Sequence, residues 1–279
     1  MPVPMCVMGN EGSRVWVSHG HDPDRFVELG SLTKVVTGTV LVQLAKAGRL
    51  GVDDPVEEWL GEAPKGTGIT LRTLADHTSG LPRLPPGPSA SPWNPYASFT
   101  DEELSQIVRD LDKVASGPVG RMEYSNLGYA VLGRALTTAT GRDFQELVDE
   151  YVLAPLGLGA GAMTAVPPAG ERLVPRGFFG RPRKLWTLTG AILPAGGLWS
   201  TPRTAARLLV GLTVDRVLGE PAPSWFRVSS LMWHNGATRD SSVFAASHED
   251  GRWILVHRLG GKPGRTDQLG VEFLRRATV

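Results

Sequence analysis

Residues 26–36, Phe26-Val27-Glu28-Leu29-Gly30-Ser31-Leu32-Thr33-Lys34-Val35-Val36, contain the change of pattern that decides the fold. The first four residues are strand-like. From Ser31 onward the period changes, with Val35, Val36, Val40, Leu41, Leu44 and Ala47 recurring at spacings of three and four, which predicts a helix over 31–47 with Gly48 as its C-terminal cap. Apolar side chains nearly encircle that helix, so it is expected to be buried. At its start, Ser31 and Lys34 stand at i and i+3 on one face, where a hydroxyl and an amine reach hydrogen-bond distance without help from the rest of the chain. The free amides and positive dipole end of the first turn favour negative charge developing near Ser31. Such a serine is either a plain N-cap or a nucleophile, and the four letters alone do not separate the two.

Working outward, Val15-Trp16-Val17 and Phe26-Val27-Glu28-Leu29 read as strands separated by the turn-rich segment 18–24, a hairpin in the simplest reading. Beyond residue 51 helical segments are expected near 70–77, 100–111, 127–139 and 143–151, with Thr100 to Glu103 forming a capping box. The proline-rich run Leu81 to Pro88 must be a stiff surface loop. The last third returns to strands at 229–234, 242–247 and 253–258, followed by a helical tail over 264–276. Strands at both ends around a helical middle predict an α+β (α/β) architecture: one antiparallel sheet built from the two termini, about residues 1–55 and 180–279, with a mostly helical insertion over about 56–179.

Two further patterns accompany the Ser31–Lys34 pair. Tyr124-Ser125-Asn126 precedes a helix; a phenol can relay protons and an amide can orient a carbonyl or a lysine, while the bland alternative is a core tyrosine beside an asparagine helix cap. His234-Asn235-Gly236 ends a strand-like run, where glycine lets backbone approach a ligand; in isolation it reads as a hairpin turn with an exposed histidine.

In this order and context the three patterns resemble the penicillin-recognising serine hydrolases, the group of class C β-lactamases, D-alanyl-D-alanine carboxypeptidases and related esterases. Further similar segments are Leu50 to Pro55, Leu74-Ala75-Asp76-His77-Thr78-Ser79-Gly80-Leu81, Tyr124 to Gly133, Ala154 to Leu158 and Ala195 to Thr201, so the resemblance covers most of residues 30–245. It implies a β-lactamase-like fold with a cleft between sheet and insertion. It also implies Ser31 as acyl-accepting nucleophile, Lys34 and Tyr124 as the proton-handling pair, Asn126 as a hydrogen-bond partner of the substrate or of Lys34, and His234, Asn235 and Gly236 as the edge strand along which substrate lies. The backbone amides of Ser31 and Ala237 would form the oxyanion hole. Free lysine and tyrosine titrate near pH 10, so a neutral amine or a phenolate at pH 7 costs about 4 kcal/mol unless the site shifts the pKa. Burial and positive neighbours lower a lysine, and a nearby ammonium lowers a tyrosine, so either residue can be the base.

One departure bears on substrate. Penicillin-directed members typically have lysine where this chain has His234, and a histidine near its ordinary pKa is mostly neutral at pH 7, which weakens the grip on a substrate carboxylate. Histidine-bearing relatives are often esterases, D-amino-acid amidases or acyltransferases. The expectation is therefore a serine hydrolase of an ester or amide of a small molecule or peptide; an acyltransferase or peptide cyclase using an acyl carrier or an alcohol or amine acceptor, and a β-lactamase-like binding protein without catalysis, are the alternatives.

Composition agrees with this. The chain has 279 residues, 29 basic and 28 acidic side chains, and 41% hydrophobic residues: enough for a sizeable core, without the basic field that attracts nucleic acid. Its single cysteine, Cys6, allows no internal disulfide and no thiolate metal site. No cofactor, metal or membrane is expected, and the absence of a secretory pattern at the start predicts a cytoplasmic protein. The string His19-Gly20-His21-Asp22-Pro23-Asp24 reads as a polar turn rather than a metal site, and Gly157 to Gly161 lacks the spacing and leading strand of a dinucleotide fingerprint. No Gly-x-Ser-x-Gly occurs. His77 is expected to fasten a helix end, and Trp93, Trp199 and Trp233 to be core residues or pocket walls.

Overall fold

The computed structural model describes residues 2–10, 15–87, 93–177 and 179–276; Pro88, the last residue of the expected stiff loop, lies outside them. Along the chain the strands are β1 (Met5–Gly9), β2 (Trp16–Ser18), β3 (Val27–Glu28), β4 (Met163–Thr164), β5 (Trp199–Ser200), β6 (Phe226–Val228), β7 (Leu231–Ala237), β8 (Ser241–His248) and β9 (Trp253–Leu259). The helices are α1 (Thr33–Lys46), α2 (Val56–Trp59), α3 (Leu71–Ala75), α4 (Asp101–Arg109), α5 (Leu111–Val114), α6 (Asn126–Thr140), α7 (Phe144–Val148), α8 (Leu193–Gly196), α9 (Pro202–Leu209) and α10 (Pro263–Arg276).

The main sheet has the order β2-β1-β9-β8-β7-β6, antiparallel throughout, so both chain ends contribute to it as expected. Its central strands β1, β9 and β8 are buried on both faces by side chains of period two, while the edge strands β2 and β6 are largely exposed. Val7, Phe244, Ala246, Ile254 and Val256 face α10 together with Leu274, whereas Cys6, Met8, Val243, Ala245 and Leu255 join the main core. The expected hairpin is corrected. Trp16–Ser18 pairs with Met5–Gly9, a strand the sequence reading missed, while Val27–Glu28 joins a separate small sheet of order β3-β5-β4 through Ser200 and Trp199.

Helix α1 has no exposed apolar stripe because it is buried nearly all round, from Thr33 through Leu41. Its polar side chains are used internally. Thr37 Oγ1 donates to Pro194 O at 2.7 Å, and Thr33 Oγ1 accepts from Leu198 N at 3.1 Å, fastening the 194–198 segment along the helix. Gly48, just past the C-terminus, has φ +67° and donates to Ala45 O, the left-handed stop that glycine takes without strain. Helices α3 and α4 begin at the capping boxes of Thr70 and Thr100. No helix of the described residues is long and apolar enough to cross a membrane.

Candidate active site

Ser31 lies in a single 3-10 turn, Gly30–Leu32, that leads directly into α1. Lys34, one turn on, is completely buried and donates to Ser31 Oγ at 3.3 Å, Asn126 Oδ1 at 2.8 Å and Ala195 O at 2.5 Å. Burial first, and the charge of Arg83 second, hold its pKa well below the usual lysine range. Its amine lies 4.9 Å from the centre of the Tyr124 ring. Burial pushes the Tyr124 phenol up to about 12, against the opposing effects of a hydrogen bond with Ser31 and the charge of Arg83. Burial thus pulls the amine toward its neutral form and keeps the phenol in its protonated form.

Tyr124 is held by the residues around it. His77 O accepts from Glu123 N at 2.7 Å, His77 Nδ1 accepts from Ser125 N at 3.1 Å, and its ring centre stands 4.3 Å from that of Tyr124. The expectation that His77 fastens a helix end becomes more specific, since it ties the turn after α3 to the turn before α6. Ser125, rather than Asn126, caps α6: its Oγ accepts from Gly128 N and donates to Pro82 O, each at 2.8 Å. This leaves Asn126 free to accept from Lys34 and to donate to Tyr96 Oη at 2.6 Å.

Strand β7 reaches the serine by backbone. A Cβ on Gly236 would stand 2.0 Å from Leu29 O and 3.0 Å from Ser31 N, and one on Gly30 (φ +50°) 2.8 Å from Ala237 N. Glycine at both positions lets the Ser31 and Ala237 segments come together as an amide pair requires. Residues 234–237 extend past the pairing with β6, which ends at Trp233, so that this half of β7 is an open edge.

Side chains of β7 alternate between two faces. Trp233, Asn235 and Ala237 line the cavity above Ser31, whereas His234 and Gly236 lie on the opposite, buried face. His234 is fully buried, its Nδ1 within 2.6 Å of Asn235 O and its ring centre 5.3 Å from that of Phe226; burial first and Lys34 second push its pKa down to about 3, so it is neutral. The cavity measures about 750 Å³ and also has Arg83, Tyr96, Trp186 and Phe226 on its walls, none of which the sequence singled out. Of the tryptophans considered, Trp233 lines it, Trp199 is buried under the Arg172 guanidinium, and Trp93 is exposed beneath Arg239.

The histidine string differs from a polar turn. His21 turns inward and its Nε2 meets His257 Nδ1 at 2.9 Å, and burial pushes its pKa down to about 4.

A family model described as Beta-lactamase matches residues 5–266. The chain belongs to the Beta-lactamase family. It is 32% identical over 184 residues to the D-alanyl-D-alanine-carboxypeptidase/endopeptidase AmpH of Escherichia coli K12, an alignment covering 64% of this chain and 46% of that protein. The chain therefore spans less than half the length of this curated relative. A class C β-lactamase from Rhodobacter sphaeroides superposes with a TM-score of 0.76 at 17% identity, covering 99% of this chain and 94% of the other. A D-stereospecific amidohydrolase from a Streptomyces species gives 0.72 at 23% identity, covering 96% and 93%. At these identities the two solved structures establish the β-lactamase-like fold. Beta-lactamase and carboxypeptidase members of this family are serine hydrolases, and the cavity over Ser31 belongs to a fold that carries such chemistry.

Proposed function

We propose that this protein hydrolyses an ester or amide of a small molecule or short peptide through an acyl-Ser31 intermediate. The observation that carries the reading is the fully buried Lys34 amine, its pKa held well below the usual lysine range, in hydrogen-bond contact with the hydroxyl of Ser31, which lines an open cavity. Ser31 Oγ attacks the substrate carbonyl while its proton passes to Lys34 Nζ. The oxyanion forms between the Ser31 and Ala237 amides, which bind it more tightly than the ground-state carbonyl. Collapse of the tetrahedral species breaks the bond to the leaving group, which takes a proton through Tyr124, and Lys34 reprotonates the phenol. Water then repeats the sequence on the acyl-enzyme, with Ser31 as the leaving group. Asn126 holds Lys34 in place, and Asn235 offers its side chain from the cavity wall to the substrate.

The walls support an acyl or leaving group with an apolar, ring-bearing portion, since Tyr96, Trp186, Phe226 and Trp233 surround the opening. The neutral, inward-facing His234 cannot supply the cation at the end of β7 that a β-lactam carboxylate would meet. A panel of p-nitrophenyl esters and D-amino-acid amides assayed beside a chromogenic cephalosporin tests this. The expected result is Ser31-dependent cleavage of an ester or amide to free acid, faster than cephalosporin turnover. Efficient cephalosporin cleavage with negligible ester or amide cleavage overturns the substrate class. Turnover only with an added alcohol, amine or thiol acceptor replaces hydrolysis by acyl transfer.

A further inference from the structure

We infer that Arg83 is a specificity-determining residue that binds a carboxylate on the substrate held over Ser31. The inference rests on the hydrolase reading and adds the substrate's charge. Arg83 is the one charged side chain on the cavity wall among the described residues. It stands in the loop that the prolines stiffen, and two hydrogen bonds join the loop to the segment after Tyr124: Asn126 N donates to Arg83 O at 3.0 Å and Ser125 Oγ to Pro82 O at 2.8 Å. Its guanidinium lies 5.2 Å from the centre of the Tyr124 ring and forms no ion pair with an acidic side chain of the described residues, so its charge is available to a ligand. A guanidinium presents paired donors that match a carboxylate, and an aromatic face beneath it fixes its plane.

The rest of the site leaves this task to Arg83. Lys34 and His234 are both fully buried and neither lines the cavity, and burial pushes the His234 pKa down to about 3. Asn235, also on the cavity wall, donates through Nδ2 to Asp267 Oδ2 at 2.9 Å.

Two matched ester pairs test the inference on the wild type, Arg83→Gln and Arg83→Lys. For the acyl side the pair is p-nitrophenyl hemisuccinate and p-nitrophenyl butyrate; for the leaving-group side it is 4-acetoxybenzoate and 4-acetoxybenzamide. Arg83 also acts on Lys34 and Tyr124, but that effect is common to both members of a pair and cancels in the ratio of their kcat/KM values. In Arg83→Gln the anionic-to-neutral ratio is expected to fall about tenfold for one pair, mainly through KM, with Arg83→Lys recovering part of it. The pair that responds identifies the side carrying the carboxylate. Calorimetry on the Ser31→Ala protein gives a readout without turnover: 4-phenylbutyrate should bind more tightly than 4-phenylbutanamide, and the difference should vanish when Arg83→Gln is added. Ratios that stay unchanged in both pairs, or equal binding of acid and amide, overturn the role of Arg83 while leaving the hydrolase intact. Loss of all Ser31-dependent turnover in the wild type overturns the hydrolase reading, and the calorimetry then decides on Arg83 alone.

Discussion

Replacing Lys34 by methionine is expected to lower kcat/KM for any ester the protein cleaves by about 10²- to 10⁴-fold, the range of a lost general base. Methionine retains the length and apolar stem in a site where the lysine is fully buried, so the loss reports the amine rather than a cavity. The pH profile gives a sharper signature. Because burial and Arg83 hold the amine's pKa well below its usual range, the base is in its competent form above that depressed value and is lost as the pH falls through it. Wild-type kcat/KM should therefore rise with pH through a limb that lies well below the usual lysine range, while Tyr124, pushed up to about 12, keeps its proton. His77 and His234, pushed down to about 2 and about 3, do not titrate in the neutral range. The limb should be absent from the residual activity of Lys34→Met. A limb unchanged in the variant would assign it to another group and remove Lys34 as the base.

The second large effect is expected from one methyl group. In Gly236→Ala the new Cβ would meet the backbone at Leu29 O and Ser31 N, atoms that can move only by shifting the serine turn itself. Overpacking of this kind costs about 1–3 kcal/mol, which for a chain of this size lowers Tm by roughly 2–12 °C. The same shift separates the two proposed oxyanion donors, and loss of one such donor costs about 10²- to 10³-fold in kcat. Thermal melts and steady-state kinetics should therefore fall together in Gly236→Ala and not in Gly159→Ala, where a Cβ meets nothing within 4 Å. Wild-type kinetics in Gly236→Ala would show that β7 does not set the geometry at Ser31.

What the sequence revealed, and what it concealed, follows from how local each signal is. The i, i+3 relation of Ser31 and Lys34, the capping box at Thr100, the stop at Gly48 and the strands of the last third depend on neighbouring residues, and all appear in the structure close to their expected limits. The first hairpin is not legible locally, because Met5–Gly9 is an apolar run without alternation and the partner of Val27–Glu28 lies at Trp199–Ser200, far along the chain. The side of β7 that meets substrate depends on strand phase: the triplet reads as one unit, yet His234 and Asn235 must point to opposite faces. Ser125 and Asn126 are both good caps, and only the contact of Asn126 with Lys34 and Tyr96 shows which of them is free. Arg83, Tyr96, Trp186 and Phe226 reach the cavity from three separate segments, and no spacing rule connects them.

The central claim is that Ser31 is the acyl-accepting nucleophile. Intact-mass spectrometry after exposure to a fluorophosphonate, on the wild type, Ser31→Ala and Lys34→Met, tests it most directly. The account predicts one phosphonyl adduct on the wild type, none on Ser31→Ala, and much slower labelling of Lys34→Met. An unlabelled wild type, or equal labelling of wild type and Ser31→Ala, would contradict it.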